Sequence, residues 1–479
     1  MVRVVGEWPN CDLQCRKCRD CWMNKLAPQP DYWTGLRRTI AFVCICIFGN
    51  TALACARPSP QESTPDPATR FQSTSDFQTG DWRPVRRQPH SSLDGSQPND
   101  IADHRLAQWL DRLSQRCGED FQIYGYIDQG FTWNPASPRD RTNGLILNNY
   151  RSNDYQLNAI YLVGEKKLDH KRPDLQIGGR IDLAYGTDAR FMTVDGLADH
   201  IVSDQASRFY KLAIRQAYFN LFLPVGRGAS VKVGTYVSPI GQETGYAPAN
   251  FFYSHVLCYN LQPGAPTGLL FEYPLTDQWT IRFGPNLGWG TFDNINHSVS
   301  YTGSISWTSR DKKTQLQFDY QDGVQRTQVV ENTALVLYYS LILNHQFTDR
   351  LDYIMEHDLL TSSSQSSPIN SADNLQSYAL ANYLIYKINE KWKAGLRFEW
   401  LQNNGARLSG ADSSKLAASG NYYDITLGLN WQARPHLRFR PELRYDWQTP
   451  YQPLDQPLSY DDNTSSKNWL FGCDVLWEF

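Results

Sequence analysis

The chain has 479 residues with a mean hydropathy of −0.52 and a net charge of −3, yet 13% are aromatic: 15 Trp, 27 Tyr and 21 Phe. The polar average excludes a bundle of membrane helices, each needing roughly 20 consecutive apolar residues, and the one stretch that comes near, Ile40–Phe48, is too short. The aromatics exclude a wholly disordered chain, and 46 basic against 49 acidic residues leave no excess suited to nucleic acid. A large soluble β protein or an outer-membrane β-barrel remains; in a barrel, alternating faces average to a hydrophilic mean.

Residues 36–56 read LRRTIAFVCICIFGNTALACA. Arg37 and Arg38 form a basic region, Ile40–Phe48 an apolar one, and Ala52-Leu53-Ala54 a small-x-small cleavage site, the pattern of a secretory signal peptide. The alternative is a lipoprotein signal with Cys55 acylated, although Ala rather than Leu stands three residues before that cysteine. Met23 offers a second start. Upstream of it, Cys11, Cys15, Cys18 and Cys21 have spacing that suits zinc or an iron–sulfur cluster, but no His follows and the segment precedes an export signal. Cleavage after Ala54 removes seven of the 46 basic and four of the 49 acidic residues and leaves a net charge of −6. It also leaves only Cys55, Cys117, Cys258 and Cys473, too sparse for a disulfide framework.

Four regions are expected: an extension and signal (1–54), a Pro/Ser-rich disordered linker (55–100), a short amphipathic helix (101–118) and a barrel (119–479). In the helix Leu106, Trp109, Leu110 and Leu113 fall at i, i+3, i+4 and i+7. It is placed to dock at the barrel mouth, plug it or self-associate.

From Phe121 onward the dominant period is two. In Trp392–Gln402, Trp392, Ala394, Leu396, Phe398 and Trp400 alternate with Lys393, Gly395, Arg397 and Glu399. In Leu437–Trp447, Leu437, Phe439, Leu443, Tyr445 and Trp447 alternate with Arg438, Arg440, Glu442, Arg444 and Asp446. In Trp279–Trp289, Ile281, Phe283, Leu287 and Trp289 share a face. Successive side chains of a strand point to opposite faces, and aromatics at both ends of the apolar face match the girdles of a spanning barrel. Sixteen strands are predicted, near 121–133, 153–163, 175–185, 211–223, 229–237, 267–275, 278–289, 299–308, 313–322, 333–347, 351–361, 376–388, 391–402, 422–431, 437–447 and 468–479. Strand 333–347 is apolar on both faces and is the weakest of them. Short turns alternate with longer polar loops, which places both chain ends on the short-turn side. A sandwich gives no reason for that sorting.

The C-terminus, NWLFGCDVLWEF, alternates Trp469, Phe471, Cys473, Val475, Trp477 and Phe479 with Asn468, Leu470, Gly472, Asp474, Leu476 and Glu478 and stops on the aromatic. It resembles the terminal strand signal read by the barrel-assembly machinery, carried by Trp469, Phe471, Val475, Trp477 and Phe479. Cys473 would then face lipid as a small hydrophobe.

Within 214–293 the segments IRQAYFNLFLPVG, VKVGTYVSPIGQETGYAPANFFYSH, GAPTGLLFEYPLTDQW and GWGTFDN resemble the OmpL-like β-barrel porin family. The resemblance implies an all-β, transmembrane antiparallel up-and-down barrel in the outer membrane that acts as a pore. It transfers no catalytic residue. The longest loop, 238–266, resembles in position the inward-folding third loop of general porins. Pro239, Glu243, Tyr246, Asn250, Phe252 and Tyr253 are therefore candidate constriction residues; the alternative is an exterior loop that packs on a neighbouring subunit. Inward strand positions supply Arg282, Asp319, Arg397, Glu399, Arg438, Arg440, Glu442 and Arg444 as candidate wall charges, which either set ion preference or pair among themselves. No G-x-x-x-x-G-K-[ST], H-E-x-x-H or G-x-S-x-G occurs, so no enzyme, cofactor or metal is expected. The expected function is passive diffusion of small hydrophilic solutes and ions. The alternatives are a substrate-specific channel and a closed structural or adhesive barrel. The expected partners are outer-membrane lipid, the assembly machinery and the solutes; porins are often homotrimers, although no feature of this sequence fixes the oligomer.

Overall fold

The computed structural model describes residues 120–169, 172–198, 209–294, 297–326, 333–364, 375–404, 419–451 and 458–479, together with Trp109, Leu110, Arg112 and Ser114. The signal and the linker lie outside the described residues. So do Leu106 and Leu113 of the expected helix, whose four described residues are helical, with Leu110 buried and Trp109 exposed. The Ser114 hydroxyl accepts the Ile123 N–H at 2.9 Å.

Sixteen strands close into one antiparallel barrel, each paired with its sequence neighbours and the last with the first. They are β1 (Phe121–Trp133), β2 (Tyr155–Lys166), β3 (Gln176–Gly186), β4 (Lys211–Leu223), β5 (Ala229–Thr235), β6 (Thr267–Pro274), β7 (Trp279–Asn286) and β8 (Ser300–Thr308). The second half comprises β9 (Thr314–Arg326), β10 (Thr333–Thr348), β11 (Leu351–Ser364), β12 (Leu375–Lys387), β13 (Trp392–Asn404), β14 (Gly420–Arg434), β15 (Leu437–Pro450) and β16 (Lys467–Glu478). Each predicted strand is present, and the short and long connections alternate as expected. One boundary difference is instructive. β7 stops at Asn286 because Gly288 and Gly290, with φ of 114° and 58°, turn the chain. Trp289 therefore leaves the apolar outer face and packs edge-on against Tyr338 inside the barrel, with ring centroids 6.2 Å apart.

The period of two sorts the faces. On β13, Arg397 and Glu399 are fully buried while Phe398 is exposed. On β16, Trp469, Phe471 and Cys473 are exposed and Leu470, Asp474 and Leu476 are buried. Outward rings gather at the two strand ends. Trp392, Trp431 and Phe439 stack at the short-turn end, and Tyr423, Trp447, Tyr445 and Trp469 form a run at the long-loop end. Such rings sit at both membrane interfaces with an apolar band between them.

The inner face is not uniformly polar. Tyr338, Ile342, Leu401 and Tyr422 point inward and are buried, and Tyr338, Leu401 and Tyr422 join a cluster with Ile240, Phe252, Val256, Leu257, Cys258 and Leu261. This explains why the β10 sequence is apolar on both faces: one face meets lipid and the other meets apolar chain inside the lumen.

Closure depends on β1 and β16, paired from Tyr126↔Glu478 to Trp133↔Phe471. The final residue takes part, because Gly125 and Phe479 exchange two backbone hydrogen bonds of 3.0 Å. A Cβ on Gly125 would lie 2.0 Å from the Tyr161 carbonyl and 2.9 Å from the Phe479 ring. Gly125→Val is expected to destabilise the barrel by about 1–3 kcal/mol, the usual cost of overpacking, read as a lower temperature for loss of the fast-migrating unboiled form on a gel.

Candidate functional site

The connection between β5 and β6, residues 236–266, does not stay outside the barrel. Its proline and glycine content denies it strand structure, and its base is pinched where the Tyr236 N–H donates to the Pro266 carbonyl at 3.1 Å. Between these ends lie two 3-10 helices, Ala247–Ala249 and Leu257–Leu261, separated by extended chain. Tyr246, Phe252, Tyr253, Ser254, His255, Val256, Leu257 and Cys258 are all buried although they belong to a loop.

Inward-facing charges of β13–β16 hold it there. Arg397 Nη1 donates to Glu243 Oε1 at 3.1 Å and to the Ser254 carbonyl at 2.6 Å, and its guanidinium lies 4.8 Å from the Phe252 ring. Behind it stands Asp424, whose Oδ2 is 3.4 Å from both Arg397 and Arg444. Arg444 pairs with Asp446 at 2.7 Å and donates to the His255 carbonyl at 2.5 Å. Arg440 binds Asp474 and uses Nη1 to reach three loop carbonyls: Ala247 and Asn250 at 2.8 Å and Phe252 at 3.0 Å. Arg438 donates to the Pro248 carbonyl at 2.9 Å and pairs with Glu478 at 3.1 Å.

The wall carboxylates take the loop's donors. Glu399 accepts the N–H groups of Leu257 and Cys258, both at 2.6 Å, and so caps the second 3-10 helix, whose own first residue supplies no side-chain cap. A carboxylate is favoured at such free N–H groups. Glu442 accepts the N–H groups of Tyr253 at 3.0 Å and Ser254 at 3.1 Å. The wall thus meets loop carbonyls with guanidinium and loop amides with carboxylate, which satisfies backbone groups that would otherwise be buried without partners.

Three successive aromatics fit places where the wall has no side chain. A Cβ at Gly395 would meet Phe251 at 2.3 Å, one at Gly428 would meet Phe252 at 2.8 Å, and one at Gly130 would meet Tyr253 at 2.5 Å. Farther round the ring, on β2 and β3, the Tyr246 hydroxyl donates to Asp182 at 2.5 Å and accepts from Arg180 at 3.3 Å, and Tyr253 bonds Asn158 at 3.2 Å. The Gln317 amide reaches the Pro239 carbonyl at 3.0 Å. Anchors on β2 and β3 and on β9, β13, β14 and β15 mean that the loop crosses the lumen.

The six loop candidates Pro239, Glu243, Tyr246, Asn250, Phe252 and Tyr253 lie together in this crossing segment. Of the eight wall candidates, Arg397, Glu399, Arg438, Arg440, Glu442 and Arg444 touch the loop. Arg282 instead pairs with Glu272 at 2.5 Å, and buried Asp319 accepts from the Gln317 amide at 2.8 Å. The sequence reasoning did not assign Asp424, Asp474 and Asp182 as partners, nor the glycine seats. Inward period-two placement was the available signal for Asp424, Asp474 and the glycines; nothing marked the aromatic that each glycine receives.

Beneath the loop, toward the short turns, a cavity of about 750 Å³ opens. Five lysines, at 312, 313, 387, 391 and 393, line it with Arg438 against Glu243, Asp352 and Glu390. Glu243 is committed to Arg397, and Glu390 pairs with Lys387 at 2.6 Å.

Burial would raise the pKa of Glu243, but Arg397 and His255 outweigh it and bring the pKa down to about 2. A depressed folded-state pKa stabilises fully above the ordinary value of 4.5 and less as pH falls through about 2. The stability gap between wild type and Glu243→Gln is therefore expected to include a term on the order of 3 kcal/mol at neutral pH, constant above pH 4.5 and vanishing near pH 2, measured by unfolding across a pH series. Arg397→Ala leaves Glu243 and Asp424 buried with a cation removed, at a cost of about 3–5 kcal/mol. Chymotrypsin is then expected to cut at 251–253, which wild type protects.

A family model described as "Putative beta-barrel porin-2, OmpL-like" matches residues 120–479. A search of curated proteins gives no match. Among solved structures, the chain is similar to OmpT of Vibrio cholerae in its trimer form, with TM-score 0.48, 10% identity, and 75% of this chain and 99% of that one covered. It is also similar to the outer membrane channel DcaP of Acinetobacter baumannii (TM-score 0.46, 12% identity, 75% and 97% covered) and to an anion-selective porin from Comamonas acidovorans (0.47, 9%, 75% and 99%). The family match spans the whole barrel from β1 to the last residue, and the chain belongs to the OmpL-like β-barrel porin family of outer-membrane channels.

Proposed function

We propose that this porin passes small hydrophilic solutes and ions by passive diffusion, that loop 236–266 sets the width of the passage, and that the basic cavity beneath it favours anions. The loop crossing the lumen carries this reading. A barrel of 16–18 strands otherwise encloses a wide aqueous channel, and here a segment anchored on opposite walls occupies it. Lys312, Lys313, Lys391 and Lys393 lie at the short-turn end of the cavity, where rows of one sign bias which ions enter. The charges that grip the loop are spent on its backbone. Arg397, Arg440 and Arg444 accordingly act on permeation through the loop's position, and the cavity lysines act on it directly.

The outward aromatic belts match outer-membrane lipid, and Trp469, Phe471, Val475, Trp477 and Phe479 are the proposed signal to the assembly machinery. The chemistry needs no catalytic group, which supports a channel and not an enzyme.

Single-channel recording tests the proposal. Deleting 243–262 is expected to raise conductance several-fold, and reversing Lys312, Lys313, Lys391 and Lys393 to Glu is expected to move the reversal potential toward cations. An unchanged conductance in the deletion would remove the loop from its constricting role. Silence in both proteins would favour a closed structural barrel. A conductance blocked by one solute alone would favour a substrate-specific channel.

A further inference from the structure

Most acids that face the loop from the neighbouring strands have an arginine or a backbone amide. Asp474 has Arg440, Asp446 has Arg444, Asp424 has both Arg397 and Arg444, and Glu399 has two N–H groups. Two acids on β11 have fewer partners. Glu356 and Asp358 are successive inward residues, both fully buried. Glu356 Oε1 accepts the Gln242 N–H at 2.8 Å and the Gln262 amide at 3.1 Å, but its Oε2 has no hydrogen-bond partner; the oxygens of Asp358 make no hydrogen bond of good geometry and face only neutral donors, the Tyr338 and Ser340 hydroxyls, the Gln262 amide and the Cys258 thiol. No lysine or arginine pairs with them among the described residues. Facing them from the loop is Cys258, also fully buried and free. One ligand atom from each of the three lies within 4.8 Å of the others.

Buried carboxylates without a counter-charge are costly, and adding a thiol beside them relieves nothing. Together the three groups are a donor set. Thiolate and carboxylate ligands suit a borderline divalent ion such as Zn²⁺, whereas Ca²⁺ and Mg²⁺ take oxygen ligands. The set is also held in place. Glu399 fixes the N–H groups of Leu257 and Cys258, and the Gln242 and Gln262 contacts hold Glu356 by one oxygen and leave the other free.

We propose that Cys258, Glu356 and Asp358 form a site for Zn²⁺ or a cation of the same class, which joins the loop to β11. The ion would displace the thiol proton to solvent as the site assembles and offset two of the three negative charges that the thiolate and the two carboxylates then carry. It would tie the loop to β11, four strands round the ring from the arginine anchors on β15, and so add a further point of attachment. The site is sealed, so the ion enters as the barrel folds.

The test is to refold the full chain with Zn²⁺, remove free metal by gel filtration and measure bound metal by mass spectrometry. Cd²⁺ serves as a second probe through its thiolate charge-transfer absorption. The expected result is one Zn²⁺ per chain, a Cd²⁺–thiolate band that disappears in Cys258→Ser, and metal affinity lower by about tenfold or more in Asp358→Asn, since even outer partners of a metal ligand contribute that much. Unboiled gel mobility shows which variants fold; should Cys258→Ser fail to fold, Asp358→Asn and the wild-type Cd²⁺ band decide. Folded wild type without bound metal, binding unchanged in Asp358→Asn, or Cd²⁺ bound without the thiolate band would overturn the proposal. Infrared bands of protonated carboxyls that persist in wild type after refolding with Zn²⁺ and are lost in Asp358→Asn would also overturn it, since they would show a proton on Asp358 in place of the cation.

Discussion

The structure depends on one constraint: every polar group of a backbone segment carried into a sealed interior must find a partner. Loop 236–266 has no strand ladder to satisfy it, and the lumen wall supplies what is missing. Four arginines reach loop carbonyls and three glutamates reach loop amides. Because the arginines are themselves bound to Asp424, Asp446, Asp474 and Glu478, the network carries its own counter-charges. A buried ion pair alone contributes little net stability. What these pairs supply is position: each guanidinium is oriented by one acid so that its remaining N–H groups point at defined carbonyls.

That constraint organises the rest. The interior charges are arranged along β13–β16, on one arc of the barrel, while Asp182, Arg180 and Asn158 receive the tyrosines on the other. The glycines of β1, β13 and β14 leave room for Phe251, Phe252 and Tyr253. Polar fixing and apolar fit act on the same short stretch. A cavity lies toward the short turns, with loop residues on one side and the lysines of the turns on the other.

Much of the fold was legible because a barrel strand carries its own instructions. Alternation in Trp392–Gln402 and Leu437–Trp447 identified both faces, and the terminal NWLFGCDVLWEF marked the closing strand. Connection lengths identified the two ends. The failures share one cause. Trp289, the doubly apolar β10 and the inward Leu401 and Tyr422 all conflict with a simple lipid-out, water-in rule, since inside this barrel they meet the loop and not water. A pattern two residues long cannot report what a segment roughly a hundred or more positions away will press against it. The candidate site was half legible for the same reason. Loop length and composition pointed to 238–266, and inward periodicity pointed to Arg397, Arg440 and Arg444. Which acid each would meet, and that their outer N–H groups would hold backbone, depended on the register across strands.

The anchors lie late in the chain. The bonds that seat the loop on β13 and β15 join residues 141 to 193 positions apart, and these partners sit on the last strands, backed by Asp474 beside the C-terminus. The entropy of closing such long spans must be met before their contacts reward it. While only the first dozen strands exist, the loop has its contacts to β2, β3, β9 and β11 but none of its arginine anchors. Its seat is completed by the same strands that complete the ring. Closing the wall and fixing the segment that crosses it thus become one event in the life of the chain.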